Sequence, residues 1–350
     1  VHDELVHLHD VAMSPEPSFT WPSRVPKVEL HLHLEGAIPL PALWQLMEKY
    51  GGDPAVPTPQ ELLERFRYTD FQHFIATWVW KNSFLREYDD FAFIAEAVAQ
   101  DLQRQNVRYA EVFYSPPDFA RHGLQTQRIT EAVRAGLGRV PGIQVNLIAD
   151  LVRDYGALCA ARTIHEVAEV RSLGVIGVGL GGSEPAHPPE LFIDVFHTAR
   201  ELGFRTTAHA GEAAGAASVW TAVHSLQVDR IGHGTRAAED EELLDYLVEH
   251  RIPLEMCPIS NLRTGVVRTI EEHPIRKFFD RGILITVNTD DPKMFGCSLA
   301  EELTLLAQGL AFSGSELQTV LLNGITASFL SEPEKDSLRR SFLADPAWPY

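Results

Sequence analysis

Cysteine is scarce in this chain of 350 residues, which contains Cys159, Cys257 and Cys297, all far apart. An odd number of distant cysteines argues against a disulfide framework and against a four-cysteine zinc site, because both need thiols in sets. Free thiols are typical of a reducing compartment. The sequence therefore predicts a cytoplasmic protein.

Basic residues are also few. Lysine and arginine number 30 against 48 aspartates and glutamates, which gives a net charge of -18, and no basic cluster offsets it. A negative field of this kind repels polyanions. We therefore expect no nucleic-acid partner, whereas a neutral nucleoside or base is compatible with this charge.

Long apolar runs are absent too, so the sequence predicts no transmembrane helix and no membrane partner. Residues 1–24 lack the basic start and the apolar stretch of a signal peptide. We expect an irregular lead-in over 1–24, in which the motif His7-Leu8-His9 is exposed and inert. One domain is expected over 25–350.

The chain does contain a regular alternation of short apolar runs with helical stretches, and its hydrophobic fraction of 45% is sufficient for a large core. The strand-like runs are Val28–Gly36, Val107–Tyr114, Ile143–Ala149, Val175–Leu180, Arg205–His209, Arg230–Gly232, Ile252–Met256 and Ile283–Asn288. Eight βα units predict an α/β protein, specifically a closed (β/α)8 barrel of the TIM type. A doubly wound open sheet is the alternative, although no G-x-G-x-x-G motif opens a helix after a strand.

Helical spacing fills the gaps between these runs. The predicted helices include Pro188–Leu202, Glu239–Glu249 and Ile270–Asp280, with Gly203 and Gly282 as C-terminal stops. A helical insertion also follows the first strand, and one helix in it has apolar residues at i, i+3, i+4, i+7 and i+8, namely Phe71, Phe74, Ile75, Trp78 and Val79. Such a face usually packs in the core, but barrels also keep lids in such insertions. Phe71 and Phe74 are therefore candidates for substrate contacts as well.

Two histidines lie two residues apart in the first run. Alternate side chains of a strand point the same way, so His31 and His33 project together near its end. Taken alone, such a pair is more often hydrogen-bonded within a half-buried strand than bound to a metal.

Three further strand ends carry polar residues beside glycine or proline: His209 with Glu212, His233, and Asp290 with Asp291. Each has a simple structural explanation, as a core histidine, a charge at a helix start or a turn. Because the C-terminal strand ends of a barrel meet at one face, their combination with the first histidine pair predicts a metal site. Neutral imidazoles and a carboxylate suit Zn²⁺, and we expect one zinc ion per chain.

These motifs resemble the adenosine/adenine deaminase family of metal-dependent aminohydrolases, within the amidohydrolase superfamily. The resemblance covers nearly the whole chain apart from the lead-in. It rests on Pro26–Ala37, Tyr114–Pro116, His209–Glu212, Gly232–Gly234, Cys257–Pro258, Asn288–Pro292 and Asn323–Leu330, in the family's order. The resemblance implies hydrolytic removal of the 6-amino group of an aminopurine.

The resemblance also implies a set of roles. The metal ligands are His31, His33, His209 and Asp290, and Asp290 counts as catalytic as well. Glu212 would protonate the purine nitrogen N1, and His233 would orient or deprotonate the attacking water. Asp291 would hydrogen-bond N7, and the backbone N–H of Gly182 would face N3.

Glu35 departs from the pattern of the adenosine-specific members, which carry an aspartate that meets the ribose. A longer side chain resembles relatives that act on adenine or on adenosines with altered 5′ groups, whereas Gly181–Glu184 resembles the nucleoside enzymes. The prediction is therefore deamination of adenosine and deoxyadenosine, with Glu35 as a substrate contact or as a local cap. The alternative is adenine or a 5′-modified adenosine such as 6-aminodeoxyfutalosine.

Three other classes fit the sequence less well. The unrelated zinc deaminases need P-C-x-x-C after H-x-E, and the chain has only the latter, at His33–Glu35. A two-metal amidohydrolase would show a bridging lysine at a strand end. A catalytically silent barrel would have lost at least one ligand. The sequence leaves the oligomeric state open.

Overall fold

Parallel strands form the centre of the protein. The structure is a computed structural model that describes residues 20–68 and 71–348, without the side chains of residues 71 and 72. Within these residues the strands are β1 (Lys27–His33), β2 (Val107–Tyr114), β3 (Gln144–Asp150), β4 (Val175–Gly179), β5 (Arg205–Ala210), β6 (Arg230–His233), β7 (Leu254–Met256) and β8 (Ile285–Val287). Each overlaps one of the runs predicted from the sequence.

The strands pair in chain order from β1 to β8, and every pair is parallel. The junction of β8 with β1, which we call the seam, is an isolated parallel bridge between Leu32 and Asp290. At the seam the N–H of His33 donates to the Asp290 carbonyl at 2.9 Å, and the N–H of Asp290 donates to the His31 carbonyl at 2.9 Å. The predicted (β/α)8 barrel is therefore confirmed, and the open sheet is excluded.

Helices alternate with the strands. The α-helices are α1 (Trp21–Arg24), α2 (Leu40–Lys49), α3 (Pro59–Arg65), α4 (Phe71–Asn82), α5 (Tyr88–Arg104), α6 (Thr126–Leu137), α7 (Gly156–Glu169), α8 (Ile193–Glu201), α9 (Ala216–Thr221), α10 (Glu241–Glu249), α11 (Pro258–Arg263), α12 (Ile275–Arg281), α13 (Pro292–Phe295), α14 (Leu299–Leu310), α15 (Gly314–Ala327) and α16 (Glu332–Leu343). Shorter 3₁₀ segments include Pro116–His122, Arg153–Tyr155, Arg171–Leu173, Pro189–Phe192, Thr235–Glu239 and Ile270–Glu272, and a π-helical turn spans Ala222–Leu226. Among the described residues, no helix combines the length and apolar character needed to cross a bilayer.

One predicted helix is divided by a proline, and another begins as a 3₁₀ segment. The helix predicted over 270–280 is a 3₁₀ turn followed by α12, and Pro274 is the cap between them. Proline lacks an N–H and is tolerated at a helix start but not inside one. The helix predicted over 188–202 likewise begins as the 3₁₀ segment Pro189–Phe192 before α8. Gly203 and Gly282 follow these helices with positive φ, as predicted for C-terminal stops.

The insertion between β1 and β2 contains α2 to α5 and confirms the predicted helix around Phe74, which is α4. Its apolar face is only partly covered, because Ile75 and Val79 are 39% and 46% exposed. In the lead-in, α1 makes the last residues helical rather than irregular, with Pro22 buried. The motif His7-Leu8-His9 lies outside the described residues.

Candidate active site

Three histidines from two strands converge at one end of the barrel. His31 and His33 project from β1, and His209 projects from β5. The Nε2 atom of His209 lies 3.1 Å from that of His31 and 3.3 Å from that of His33. Asp290 follows β8, and its Oδ1 lies 3.5 Å from His31 Nε2 and 3.4 Å from His33 Nε2. All four residues are buried, and their donor atoms can hold one metal ion.

The proton positions fit a cation at the centre of this cluster. Nδ1 of His31 lies 2.7 Å from Oε2 of Glu255, so the ring donates there and leaves its Nε2 bare. With a cation at the centre, the Nε2 atoms of all three histidines can be bare and direct their lone pairs at the same point. Three imidazoles and one carboxylate form the donor set that first-row metals such as zinc prefer.

Glu255 is itself held by charge. Its Oε1 pairs with Nε of Arg230 at 2.5 Å, and Nη1 of Arg230 pairs with Oε2 of Glu111 at 2.6 Å. Burial alone would raise the pKa of Glu255, but Arg230 and His31 bring it below its ordinary value. A charged carboxylate behind a ligand histidine fixes the tautomer of that ring and increases its basicity.

The strand ends carry backbone conformations that aim these side chains inward. His233 and Asp290 have φ of 59° and 60°, in the left-handed region that residues other than glycine seldom occupy. Beside them, Gly36 allows the end of β1 to pack against the end of β8, because a Cβ at this position would collide with the carboxylate of Asp291. Oγ of Ser260 donates to Oδ2 of Asp290 at 2.6 Å and orients that carboxylate.

Glu212 lies in the loop after β5, beside the histidine cluster. Burial raises the pKa of its carboxyl to about 8, with further contributions from Asp290 and Glu184. Its Oε2 lies 3.6 Å from Nε2 of His233, which is 4.0 Å from Oδ2 of Asp290. A neutral acid is therefore available next to the cluster at neutral pH.

Glu184, which is buried, determines the shape of this loop. Its carboxylate accepts the backbone N–H groups of four consecutive residues at 2.6 to 3.2 Å, those of Gly211, Glu212, Ala213 and Ala214. It also accepts the hydroxyl of Ser218 at 2.5 Å. The position of Glu212 thus depends on a residue from another loop, the one that follows β4.

Two further polar groups border the cluster. Oδ1 of Asp291 is buried and has no hydrogen-bond partner among the described residues, and burial followed by the charge of Asp290 raises the pKa of this carboxyl well above its usual range. A protonated Asp291 can donate to an acceptor nitrogen. Gly182 is exposed with φ of 98°, and a Cβ there would collide with Asp154.

Glu35 lies just after β1, where the helical insertion begins. Its Oε1 accepts the N–H of Ser115 at 3.0 Å, whereas its buried Oε2 has no partner among the described residues. Burial raises the pKa of Glu35 to about 7. Nζ of the buried Lys81 donates to the Glu35 carbonyl at 2.6 Å and lies 4.4 Å from the ring centroid of Trp78, so α4 is anchored to the end of β1.

Of the two phenylalanines predicted as candidate substrate contacts, the structure describes the side chain of one. Phe74 stacks on Phe295, with ring centroids 5.3 Å apart, in a small apolar cluster that also includes Met294. The side chain of Phe71 lies outside the described residues. Trp78 of α4 approaches the histidines, with its ring centroid 6.1 Å from that of His33.

Sequence reasoning did not single out Glu255, Lys81 or Asn261 for this site. Glu255 did leave a signal, because it is a charged residue inside a short apolar strand. A charge in such a position needs a buried partner. Lys81 lies on a helix of mixed composition, and no local pattern distinguishes it.

Comparison with known proteins identifies the family of this chain. The family model described as adenosine deaminase matches residues 26–344. The aminodeoxyfutalosine deaminase of Streptomyces avermitilis is 36% identical over 317 residues, covering 89% of this chain and 88% of that protein. The adenine deaminase of Streptomyces coelicolor is 35% identical, covering 92% of this chain and 94% of that protein.

Solved structures give the same result. The adenine deaminase of Arthrobacter aurescens superposes with a TM-score of 0.87 at 30% identity, covering 91% of this chain and 98% of that chain. An amidohydrolase from Burkholderia ambifaria with bound Zn has a TM-score of 0.86 at 28% identity, covering 95% of this chain and 94% of that chain. The family predicted from the motifs is confirmed: this chain belongs to the adenosine deaminase family.

Proposed function

We propose that this protein hydrolyses the 6-amino group of an adenine-type substrate with the help of one bound zinc ion. The observation that carries this proposal is the convergence of three imidazoles and Asp290 beside Glu212, an acid whose pKa is raised to about 8. His31, His33, His209 and Asp290 would hold the metal. Zinc held by these residues would make hydroxide available at neutral pH, since it can bring the pKa of water from 15.7 to about 7.

The protein groups would divide the remaining work. Glu212 donates its proton to the ring nitrogen N1, which makes C6 a better electrophile. Protonated Asp291 donates to N7, and the N–H of Gly182 donates to N3, so that the ring is held on two edges. Water adds at C6, the amino group leaves as ammonia, and the product carries a carbonyl oxygen at that carbon.

For the substrate, we propose an adenosine with a modified 5′ group, of the kind named for the relative from Streptomyces avermitilis. The substituent at N9 lies beside N3 and therefore faces the exposed Gly182. A series of hydrogen-bonded groups leads on from Gly182 towards Glu35. The N–H of Gly181 donates to Asp150 at 2.7 Å, and the Ser115 hydroxyl lies 3.5 Å from the same carboxylate. Ser115 then donates its N–H to Glu35, whose second oxygen is free to accept a hydroxyl.

The carboxyl groups along this series argue against a 5′-phosphate. Glu35 and Asp150 are buried and Asp118 is half-buried, all three close to the predicted N9 side, and the whole chain carries a net charge of -18. Burial raises the pKa of all three carboxyls, so a phosphate placed beside them would lose its hydration next to acidic groups that cannot compensate its charge. AMP is therefore expected to be a poor substrate.

Adenine itself is the second candidate, since several similar proteins carry that activity in their names. Its N9–H is a donor that the free oxygen of Glu35 could accept. Adenosine and deoxyadenosine, the first choice from the sequence, receive less support than these two alternatives.

An ammonia-release panel tests the proposal. Zinc-loaded protein is assayed with 6-aminodeoxyfutalosine, another 5′-modified adenosine, adenosine, adenine and AMP, and kcat/KM is compared. We expect the 5′-modified adenosines to rank first and AMP last. If kcat/KM for adenine exceeded the other values by orders of magnitude, adenine would replace the 5′-modified adenosine as the assigned substrate. If none of the compounds released ammonia, the proposed function would be refuted.

A further inference from the structure

A hydrogen-bonded chain of three buried side chains leads away from the candidate active site. Nδ1 of His233 lies 3.2 Å from Nδ2 of Asn261 on α11. Oδ1 of Asn261 lies 3.2 Å from Nε2 of His273, and Nδ1 of His273 accepts the backbone N–H of Ile275 at 3.2 Å. The chain therefore ends at the first residue of α12, behind the site and outside the roles implied by the resemblance.

The backbone N–H of Ile275 determines which nitrogen carries the proton in each histidine of this chain. An amide N–H is always a donor, so Nδ1 of His273 must be the acceptor. A neutral His273 then carries its proton on Nε2 and donates it to the oxygen of Asn261. This leaves the amide NH₂ of Asn261 facing His233, so Nδ1 of His233 must be the acceptor. The orientation of the amide is thereby fixed by chemistry and does not depend on which atom was assigned as oxygen.

The charged form of His273 is excluded by its surroundings. Burial lowers the pKa of His273 to about 3, with a further contribution from the neighbouring His233. An additional proton would have to sit on Nδ1, directly opposite the N–H of Ile275. The neutral tautomer is thus the one that this environment accepts.

We propose that Asn261 and His273 are positioning residues that hold His233 with its proton on Nε2. That atom is buried, lies 3.6 Å from Oε2 of Glu212 and has no protein partner within hydrogen-bond distance among the described residues. It is thus an N–H donor directed into the site. A neutral, fixed donor stabilises negative charge that develops on an oxygen during addition at C6.

This inference rests on the proposed function and narrows it. The resemblance allows His233 either to orient the attacking water or to deprotonate it. Accepting a proton at Nε2 would require that nitrogen to be bare, and the proton would then sit on Nδ1, opposite the Asn261 NH₂. The structure therefore assigns His233 the orienting role, and Asn261 and His273 act through it without touching substrate.

The tautomer can be measured directly. Long-range ¹H–¹⁵N spectra of uniformly ¹⁵N-labelled, zinc-loaded protein distinguish protonated from bare ring nitrogens, and the signals of His233 are identified by their loss in His233→Gln. We expect a protonated Nε2 and a bare Nδ1 on His233. The opposite pattern in the unmodified protein would overturn the proposal, whether or not the protein deaminates any compound of the panel.

Asn261→Asp reverses the direction of the hydrogen bond to His233 with little change in the shape of the side chain. A carboxylate only accepts, so Nδ1 of His233 must then carry a proton, and a ring that stays neutral has a bare Nε2. We expect the inverted spectral pattern, a decrease in kcat of about 100-fold and a much smaller change in KM, because the lost interaction belongs to the transition state. A wild-type pattern and kcat in a folded, zinc-loaded variant would refute the positioning role.

A pair of substitutions at His273 tests the chain from its far end. Glutamine can place an amide donor where Nε2–H lies, whereas leucine fills similar space without any donor. We expect His273→Gln to keep the protonated Nε2 and bare Nδ1 of His233 and to lose less than about tenfold in kcat. We expect His273→Leu to lose more in kcat and to show both tautomers of His233. Equal losses in both variants, with an unchanged His233 pattern, would show that His273 only fills space.

Discussion

Glu212 combines burial, two acidic neighbours and a fixed loop, and this combination keeps its carboxyl protonated near neutral pH. Glu212→Gln keeps the size of the side chain but removes the proton that would be given to N1. We expect kcat to fall by about 10²- to 10⁴-fold while the zinc content is unchanged. Steady-state kinetics and metal analysis of the variant provide the measurement, and turnover close to wild type would contradict the proton-donor role.

The same group predicts the alkaline limb of the pH profile. The pKa of Glu212 is raised to about 8, first by burial and then by Asp290 and Glu184, so the neutral acid dominates below pH 8 and is lost above it. Because the acid is the active form, kcat/KM should fall with rising pH, by about tenfold per unit beyond that value. The profile is measured with zinc content checked at each pH. A rate that increases through pH 8 to 9 would contradict this assignment.

At the residue scale, the sequence predicted the groups that follow strands and missed those that support them. His31, His33, His209 and Asp290 stand at strand ends, where the topology of a barrel alone brings them together. Glu255 and Asn261 act through pairings with residues far away in the sequence, and such pairings leave no periodic pattern.

Among the structural elements, the loop after β5 is the one that depends most on a single distant side chain. Glu184→Gln removes the charge and leaves too few acceptor sites for the four N–H groups that the carboxylate satisfies. We expect the free energy of unfolding to fall by about 2 kcal/mol and kcat to fall with it, because buried N–H groups are left unsatisfied.

Ser218→Ala is the matched control for this loop, since it removes one partner of the same carboxylate and leaves the backbone contacts in place. Its cost should be about 1 kcal/mol or less, with little loss of kcat. Thermal unfolding and kinetics of both variants are compared. If Glu184→Gln and Ser218→Ala behaved alike, the loop would not depend on the charge of Glu184.

Secondary structure was predictable where local chemistry decides it. The strands follow from apolar runs, and the helix ends at Gly203 and Gly282 follow from the freedom of glycine at positive φ. The break at Pro274 could have been predicted from proline alone. The exposure of Ile75 and Val79 could not, because it depends on where α4 lies against the barrel.

For the whole molecule, metal binding and stability should be linked. A ligand that binds only the folded state stabilises it, by about 2.7 kcal/mol when its free concentration is 100 times Kd. We expect a chelator to abolish ammonia release and to lower Tm, and we expect added zinc to restore both. His209→Asn, which removes one ligand, should show little further loss of Tm on chelation. An unchanged Tm and activity after proven metal removal would refute a metal-dependent reaction.

Two whole-molecule expectations from the sequence stay predictions, namely one domain over 25–350 and a cytoplasmic location. The family and the barrel, in contrast, are confirmed by the match over residues 26–344 and by the strand order. The choice among aminopurines could not be read from the sequence, because it depends on how Glu35 meets a wall built from several loops.

The seam between β8 and β1 gives the proposed metal a mechanical role. Two of its proposed ligands, His31 and His33, stand on the first strand, and Asp290 follows the last, where an isolated backbone bridge pairs the two ends of the barrel. An ion bound there would cross-link the first and last strands of the barrel. Hydrogen exchange at the amides of His33 and Asp290 should therefore slow markedly on zinc addition, while amides between β2 and β3 change little.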